Sequence, residues 1–294
     1  MNWVRHFLWA VLAFLCLWGG ARRAHAEPAS EHELNVMTFN IRYGTANDGP
    51  NRWENRRQMV CDLIAEHRPD VLGLQEALKF QIDAVLKAVP GYVLIGVGRE
   101  DGREKGEYSC ILYRPERLDL TRSGTFWLSD TPDVPGSITW GNACTRICTW
   151  GRFTDRKTGR TFYVYNTHLD HVSQPSRENS AVLIAERMAD AKQTPCILMG
   201  DFNAGESNAA VRYIKGSAPV AMQDTFRIIH PDEKEVGTFN GFTGRSSGEK
   251  IDYVFVGPGW KTLDAAIIRT SRDARYPSDH FPLTAKLLLD NNAD

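Results

Sequence analysis

Apolar residues recur along this chain with two periods, one of two residues and one of three to four, and the two kinds of segment succeed each other from end to end. "LNVMTFNIRY" (34–43) alternates as a half-buried strand does and ends in the polar, glycine-rich "GTANDGPN". From 53 to 67, Met59, Val60, Leu63 and Ile64 share one helical stripe that Arg68-Pro69 ends, since proline cannot continue a helix. "DVLGLQEA" reads as a buried strand with Glu76 at its end, and an amphipathic helix over 79–89 stops at Pro90-Gly91. Short runs then predict strands: "YVLIGVG", "EYSCILYR", "SGTFWL", "ACTRICTWGRF" and "TFYVYNTHLDH". A third helix is expected over 176–191, after Pro175, with Val182, Ile184, Ala185 and Met188 inward. It leads into the strand of "PCILMGDFNAGESN", and "KIDYVFV", "AAIIRT" and "FPLTAKLLL" follow. No repeat or linker divides this series, so the reading is one α+β layered domain over 27–294.

Composition narrows the class. With 294 residues, 42% hydrophobic and 24% charged, the chain is long enough for one large core. Thirty-five basic against 36 acidic residues give a net charge of −1, which does not support the broad basic surface that binds nucleic acid, though a local groove is compatible with it. Arg5 and His6 precede the apolar "FLWAVLAFLCLW", too short for a comfortable membrane span, and "AHA" at 24–26 supplies small residues at cleavage spacing. Residues 1–26 thus read as a signal peptide and the mature chain as secreted or periplasmic without a stable membrane span; the alternative is a retained anchor. Cys61, Cys110, Cys144, Cys148 and Cys196 are an odd set with no zinc-type pairing, read as small buried hydrophobes. No protein partner is implied.

The predicted strand ends carry polar residues that a strand does not need: Asn40, Glu76, His168 and Asp170, Asp201 and Asn203, and Asp279-His280, with Asp252 inside "KIDYVFV". Alternation would put Asp201 and Asn203 on one side of a strand tip and Phe202 in the core on the other. Each alone fits a turn. As a set they offer hard oxygen ligands for a cation such as magnesium beside histidines for proton or charge chemistry.

"MTFNIRY", "LGLQEA", "YNTHLDH", "MGDFNA", "KIDYVFV" and "YPSDHFPL" occur in the order seen in the endonuclease/exonuclease/phosphatase superfamily, and the chain resembles a complete member of it. "GTFWLSDTPD" (124–133) resembles a bacterial secreted branch of metal-dependent hydrolases. The resemblance implies a four-layer α/β-sandwich of two mixed, mainly antiparallel sheets with helices outside. It implies Mg2+, or Mn2+ in its place, held chiefly by Glu76 with Asn40 and Asp279. Asp201 would activate water and Asn203 hold it or the phosphate; His280, oriented by Asp252, would polarise a phosphate oxygen, and His168 would serve the leaving side. Glu107 is the candidate carboxylate that keeps His168 protonated, its rival reading a solvated strand-edge glutamate. Arg146 either faces phosphate or makes a structural ion pair, and His171 either faces substrate or is an exposed loop histidine. Arg56 and Arg57, early in a helix, are expected in solvent. Trp127, Trp140 and Trp150 are read as core or cleft wall.

The implied activity is hydrolysis of a phosphodiester or phosphomonoester by in-line attack of water. The other readings are a catalytically inactive sandwich used for binding, which should have lost an essential group and has not, and a membrane-lipid phosphodiesterase, which should show an exposed apolar hairpin.

Overall fold

The computed structural model describes residues 32–191 and 194–290. The expected signal peptide over 1–26 lies outside the described residues. Twelve strands occur among them: β1 (Leu34–Asn40), β2 (Val71–Gln75), β3 (Val93–Ile95), β4 (Ile111–Tyr113), β5 (Leu118–Trp127), β6 (Ile147–Asp155), β7 (Thr161–His168), β8 (Cys196–Asp201), β9 (Gln223–Asp224), β10 (Asp252–Val256), β11 (Trp260–Ile267) and β12 (Leu283–Leu289). The helices are α1 (Trp53–His67), α2 (Lys79–Ala88), α3 (Gln174–Ala189), α4 (Ala209–Arg212) and α5 (Thr225–Ile229).

Two six-stranded sheets form, in the orders β11-β12-β1-β2-β4-β3 and β5-β6-β7-β8-β10-β9. Their layering follows from period two: Val36 and Val71 face Met199, Val164 and Val254 in the core between the sheets. The alternate residues Met37, Phe39 and Leu72 pack outward with Val60, Leu63 and Ile64 of α1 and Ile82 and Val85 of α2. Leu198, Tyr253 and Phe255 pack outward with Ala181, Ile184 and Met188 of α3. Helix, sheet, sheet and helix make the four-layer α/β-sandwich.

Each sheet holds one parallel pair, joined through a helix: β1 with β2 and β7 with β8. Parallel pairing brings carboxyl ends together, so Asn40 lies beside Gln75 and His168 beside Asp201, while antiparallel β10 sets Asp252 opposite Asp201. The polar strand ends seen in the sequence therefore gather at one edge of the sandwich.

Three details differ from the sequence reading. β5 starts at Leu118 rather than near Ser123, because "LDLTRS" lies largely at the solvent side of an edge strand and lacks an apolar run. α3 begins before Pro175, which is tolerated in a first turn where its missing N–H is not needed, and the Ser173 side chain accepts from Ser176 N at 3.2 Å. Arg56 is buried, not solvated: its guanidinium donates to the carbonyls of Asn51 (2.9 Å), Arg42 (2.8 Å), Pro277 (3.1 Å) and Ile41, tying the loop after β1 to the segment before β12. Arg57 is exposed as expected. The five cysteines from Cys61 to Cys196 are free thiols, all but Cys144 buried. Among the described residues no helix is long and apolar enough to cross a membrane.

Candidate active site

The site is assembled from backbone turns that place side chains no strand would direct together. Glu76, one residue past β2, has φ 56°, a left-handed conformation that costs a non-glycine residue on the order of 1 kcal/mol or more. Its carboxylate accepts from Tyr43 N and Asn40 Nδ2, each at 3.0 Å. Asn203 is also left-handed, at φ 46°, and its N–H donates to Asp201 Oδ1 at 2.9 Å. The Asp-x-Asn segment is thus a turn and a site at once. Its central Phe202 is buried edge-on against Tyr253 and Phe255, both at 5.3 Å between centroids.

Asp201 is the hub. Its Oδ2 accepts from Asn40 Nδ2 at 2.9 Å and lies 3.4 Å from His168 Nε2 and 3.7 Å from His280 Nε2. Burial, then the Asp252 charge, push its carboxyl up to about 7, against the pull of His280 and Asn40. His280 binds Asp252 Oδ2 through Nδ1 at 2.9 Å. Burial opposes its charge, but Asp252 and Asp201 outweigh that and hold it well above the ordinary histidine range. His280 is an imidazolium clasped between two carboxylates.

His168 departs from the expectation. Burial, then Arg146 and Arg99, hold it well below the ordinary value, so it is neutral. Its Nε2 stands 2.9 Å from Asn203 Nδ2, which also donates to Leu169 O at 3.0 Å. An amide nitrogen only donates, so Nε2 accepts, and its approach to Asp201 is not an ion pair. Glu107 does not hold His168 protonated: its carboxylate accepts from Arg99 Nη2 at 2.8 Å. Asn40 also differs from a metal ligand. It turns its nitrogen to Glu76 and Asp201 while Oδ1 accepts from Arg42 N at 2.9 Å, so here it positions carboxylates instead of offering an oxygen.

The expected residues Glu76, Glu107, Arg146, His168, Asp201, Asn203, Asp279 and His280 line one cleft of about 460 Å³, with Asn40 and Asp252 buried directly behind. Arg42, Tyr43, Arg99, Cys144, His171 and Phe239 share its lining; of these the sequence reading weighed only His171 as a site residue, and Cys144, read as a small buried hydrophobe, is half-buried at the cleft. Arg42 stands 3.8 Å from Glu76 and 3.7 Å from Asp279 and is fixed by Asp48 at 3.0 Å. Its place two residues past Asn40 was the available signal. Phe239, 53% exposed, sets its ring against His280 at 5.2 Å.

Among the described residues, two groups of His, Cys and carboxylate side chains have ligand-type atoms close enough to share an ion. Asp201, Asp252 and His280 form a buried one, and Glu76 and Asp279 add hard oxygens at the same cleft. Buried carboxylates in excess of cations, with a guanidinium bridging two of them, fit a divalent metal that takes oxygen ligands. Cys144, Asp170 and His171 form the other group, which does not fit. Both Asp170 oxygens are occupied by the N–H groups of Val172 (3.0 Å), Ser173 (2.8 Å) and Ala143 (3.0 Å), with Arg146 Nε at 3.5 Å. Asp170 organises its loop.

Known proteins share this fold. An endonuclease/exonuclease/phosphatase from Bacteroides vulgatus superposes with TM-score 0.81 at 34% identity, over 88% of this chain and 99% of that one. A mannosyl-6-phosphatase from Bacteroides thetaiotaomicron gives 0.79 at 34%, over 87% and 100%. An uncharacterized protein of Acanthamoeba polyphaga mimivirus is 30% identical over 59% of this chain and 68% of its own length. Since the family's sequence profile also spans residues 37–280, the chain belongs to the Endonuclease/Exonuclease/phosphatase family, whose divalent-metal-dependent members hydrolyse phosphate esters.

Proposed function

We propose that this chain is an exported, magnesium-dependent phosphoesterase, mature from about residue 27, that releases phosphate from small polar monoesters of the sugar-phosphate kind by in-line attack of water. The observation that carries the reading is the meeting of Asp201 with His168, His280, Asn203 and Asn40 at one cleft edge, with Glu76 and Asp279 beside them. The substrate class rests on the likeness to the mannosyl-6-phosphatase over nearly its whole length and on a cleft sized for a monosaccharide and its phosphate.

In this mechanism Asp201 orients water and takes its proton, a role suited to a carboxyl near 7, since a base works best close to the operating pH. His280, charged and held by Asp252, neutralises a non-bridging phosphate oxygen. Neutral His168 and the Leu169 carbonyl take both N–H groups of the Asn203 amide, leaving its oxygen to hold the water. A magnesium ion held by Glu76 and Asp279 would supply Lewis-acid neutralisation of the phosphate charge; Mn2+ would serve in its place.

The test is a screen of the mature protein with magnesium and with chelator against sugar monophosphates, nitrophenyl mono- and diesters, plasmid DNA, RNA, sphingomyelin and phosphoinositides. Metal-dependent phosphate release from the sugar esters is expected. Turnover of only the nucleic acids or lipids would move the substrate class, and full activity in excess chelator would refute the metal.

A further inference from the structure

Arg146 is 3% exposed, directly before β6, and its guanidinium is only partly used. Nη2 meets His171 Nδ1 at 2.9 Å and Nε stands 3.5 Å from Asp170 Oδ2, but Nη1 is buried with no hydrogen-bond partner. A buried charged donor left unsatisfied is costly, so its persistence marks a place for an acceptor that the chain does not itself supply. Neighbouring side chains do not fill that need. Asp170 is saturated by three backbone N–H groups, and Glu107 is engaged by Arg99.

Position distinguishes this acceptor from the phosphate under attack. The partners of Arg146 are Asp170 and His171, on the loop after β7, and not the Asp201, Asp252 and His280 group. Arg146 lines the cleft wall with Arg99 and Glu107. There a planar fork with a free nitrogen, steadied by an imidazole, has the chemistry to hold a carboxylate or phosphate oxygen.

Resting on the phosphoesterase reading above, we propose that Arg146, with His171, forms an anion subsite apart from the reacting phosphate, so that the preferred substrate is a phosphate ester whose alcohol bears a second negative group. A carboxylate and a second phosphate share the required oxygens, and matched substrates separate them. The experiment compares kcat/KM for glucose 6-phosphate, 6-phosphogluconate and glucose 1,6-bisphosphate in wild type, Arg146→Met, Arg146→Lys and His171→Gln, with circular dichroism to confirm folding. Wild type should favour one or both of the substrates with a second anionic group over glucose 6-phosphate by about tenfold or more, the value of one charge-assisted contact. Arg146→Met should collapse that ratio toward one, Arg146→Lys should restore part of it, and His171→Gln should lower it. The ratio is the readout because a general loss of activity cancels in it. Equal loss on all three substrates, or no preference in wild type, overturns the subsite. A second arm titrates gluconate and glucose calorimetrically into wild type and Arg146→Met, with magnesium and saturating orthophosphate. Arg146-dependent binding of gluconate over glucose supports the subsite if the bisphosphate is not the favoured form, and its absence together with no bisphosphate preference refutes it. Should none of the phosphate esters be hydrolysed, the parent reading fails and the gluconate titration alone decides the subsite.

Discussion

At Asp201-Phe202-Asn203 adjacent residues do unrelated work, and single substitutions should separate it. Asp201→Asn keeps the size of the side chain and removes the base, so the rate should fall ~10²–10⁴-fold with little change in melting temperature. Phe202→Ala should lose about 3–5 kcal/mol of stability, because its ring is packed on all sides by Tyr253, Phe255 and their neighbours. An early-melting Asp201→Asn with normal specific activity would make Asp201 structural. Glu76 offers a sharper contrast. Its left-handed backbone suits glycine, so Glu76→Gly should leave stability unchanged or raised by up to ~1 kcal/mol while abolishing metal-dependent activity. A clear drop in urea midpoint would show that the carboxylate's bonds to Asn40 and Tyr43 outweigh the strain.

Elements, rather than residues, decide whether the cleft edge holds its shape, and α1 does so through one buried side chain. Arg56 gathers four carbonyls from the loop after β1 and the segment before β12, so Arg56→Met strands several buried acceptors. The expected loss is on the order of 3 kcal/mol by urea unfolding, and Arg56→Lys should recover little, since an ammonium cannot reproduce the planar fork. A shift below about 0.5 kcal/mol would show that water replaces it. This brace also shows what the sequence could not display. Helices and strands were legible because periodic burial of apolar residues leaves a local record, as in the α1 stripe and the alternation of β1 and β8. The polar strand ends were legible because Asn40, Glu76, His168 and Asp201 interrupt apolar runs. Arg56 and the Arg99–Glu107 pair left no such trace: their partners lie elsewhere in the chain, and an arginine in a helix or loop looks the same whether it meets water or carbonyls. The charge of His168 was unreadable for a related reason, being set by burial and by Arg146 and Arg99 across the cleft.

For the molecule as a whole, the concentration of carboxylates between the sheets makes stability depend on pH and metal together. Burial and Asp252 raise Asp201 to about 7, burial raises Asp279, and the flanking carboxylates, against burial, raise His280. A group that holds its proton more tightly when folded contributes stability that is complete below its unfolded pKa and lost as pH rises through its folded one. His168, lowered by burial and by Arg146, has the opposite sign, its stability lost as pH falls below the ordinary histidine value of ~6.5. Above that pH His280, and Asp201 up to about 7, still titrate. In chelator the melting temperature should therefore decline from about pH 6.5 to 8, and millimolar magnesium should flatten the decline by binding the ionised folded form. A profile that is flat in chelator would show that the carboxylates already ionise freely.

The strand order carries a consequence for how the chain reaches this state. β1 is flanked on one side by β12, with Leu34 opposite Leu287, so the first strand waits beside an empty edge while the entire second sheet is synthesised. Such distant pairing forms late, because loop closure must precede any reward from contact. During that interval β1 is an open template for pairing with other chains, and Asp279 and His280, which immediately precede β12, are not yet in place. Catalytic competence should thus appear in refolding with the slowest phase, and Leu287→Ala should accelerate unfolding more than it retards folding. Activity regained before that phase would mean that the two sheets meet before the first is complete.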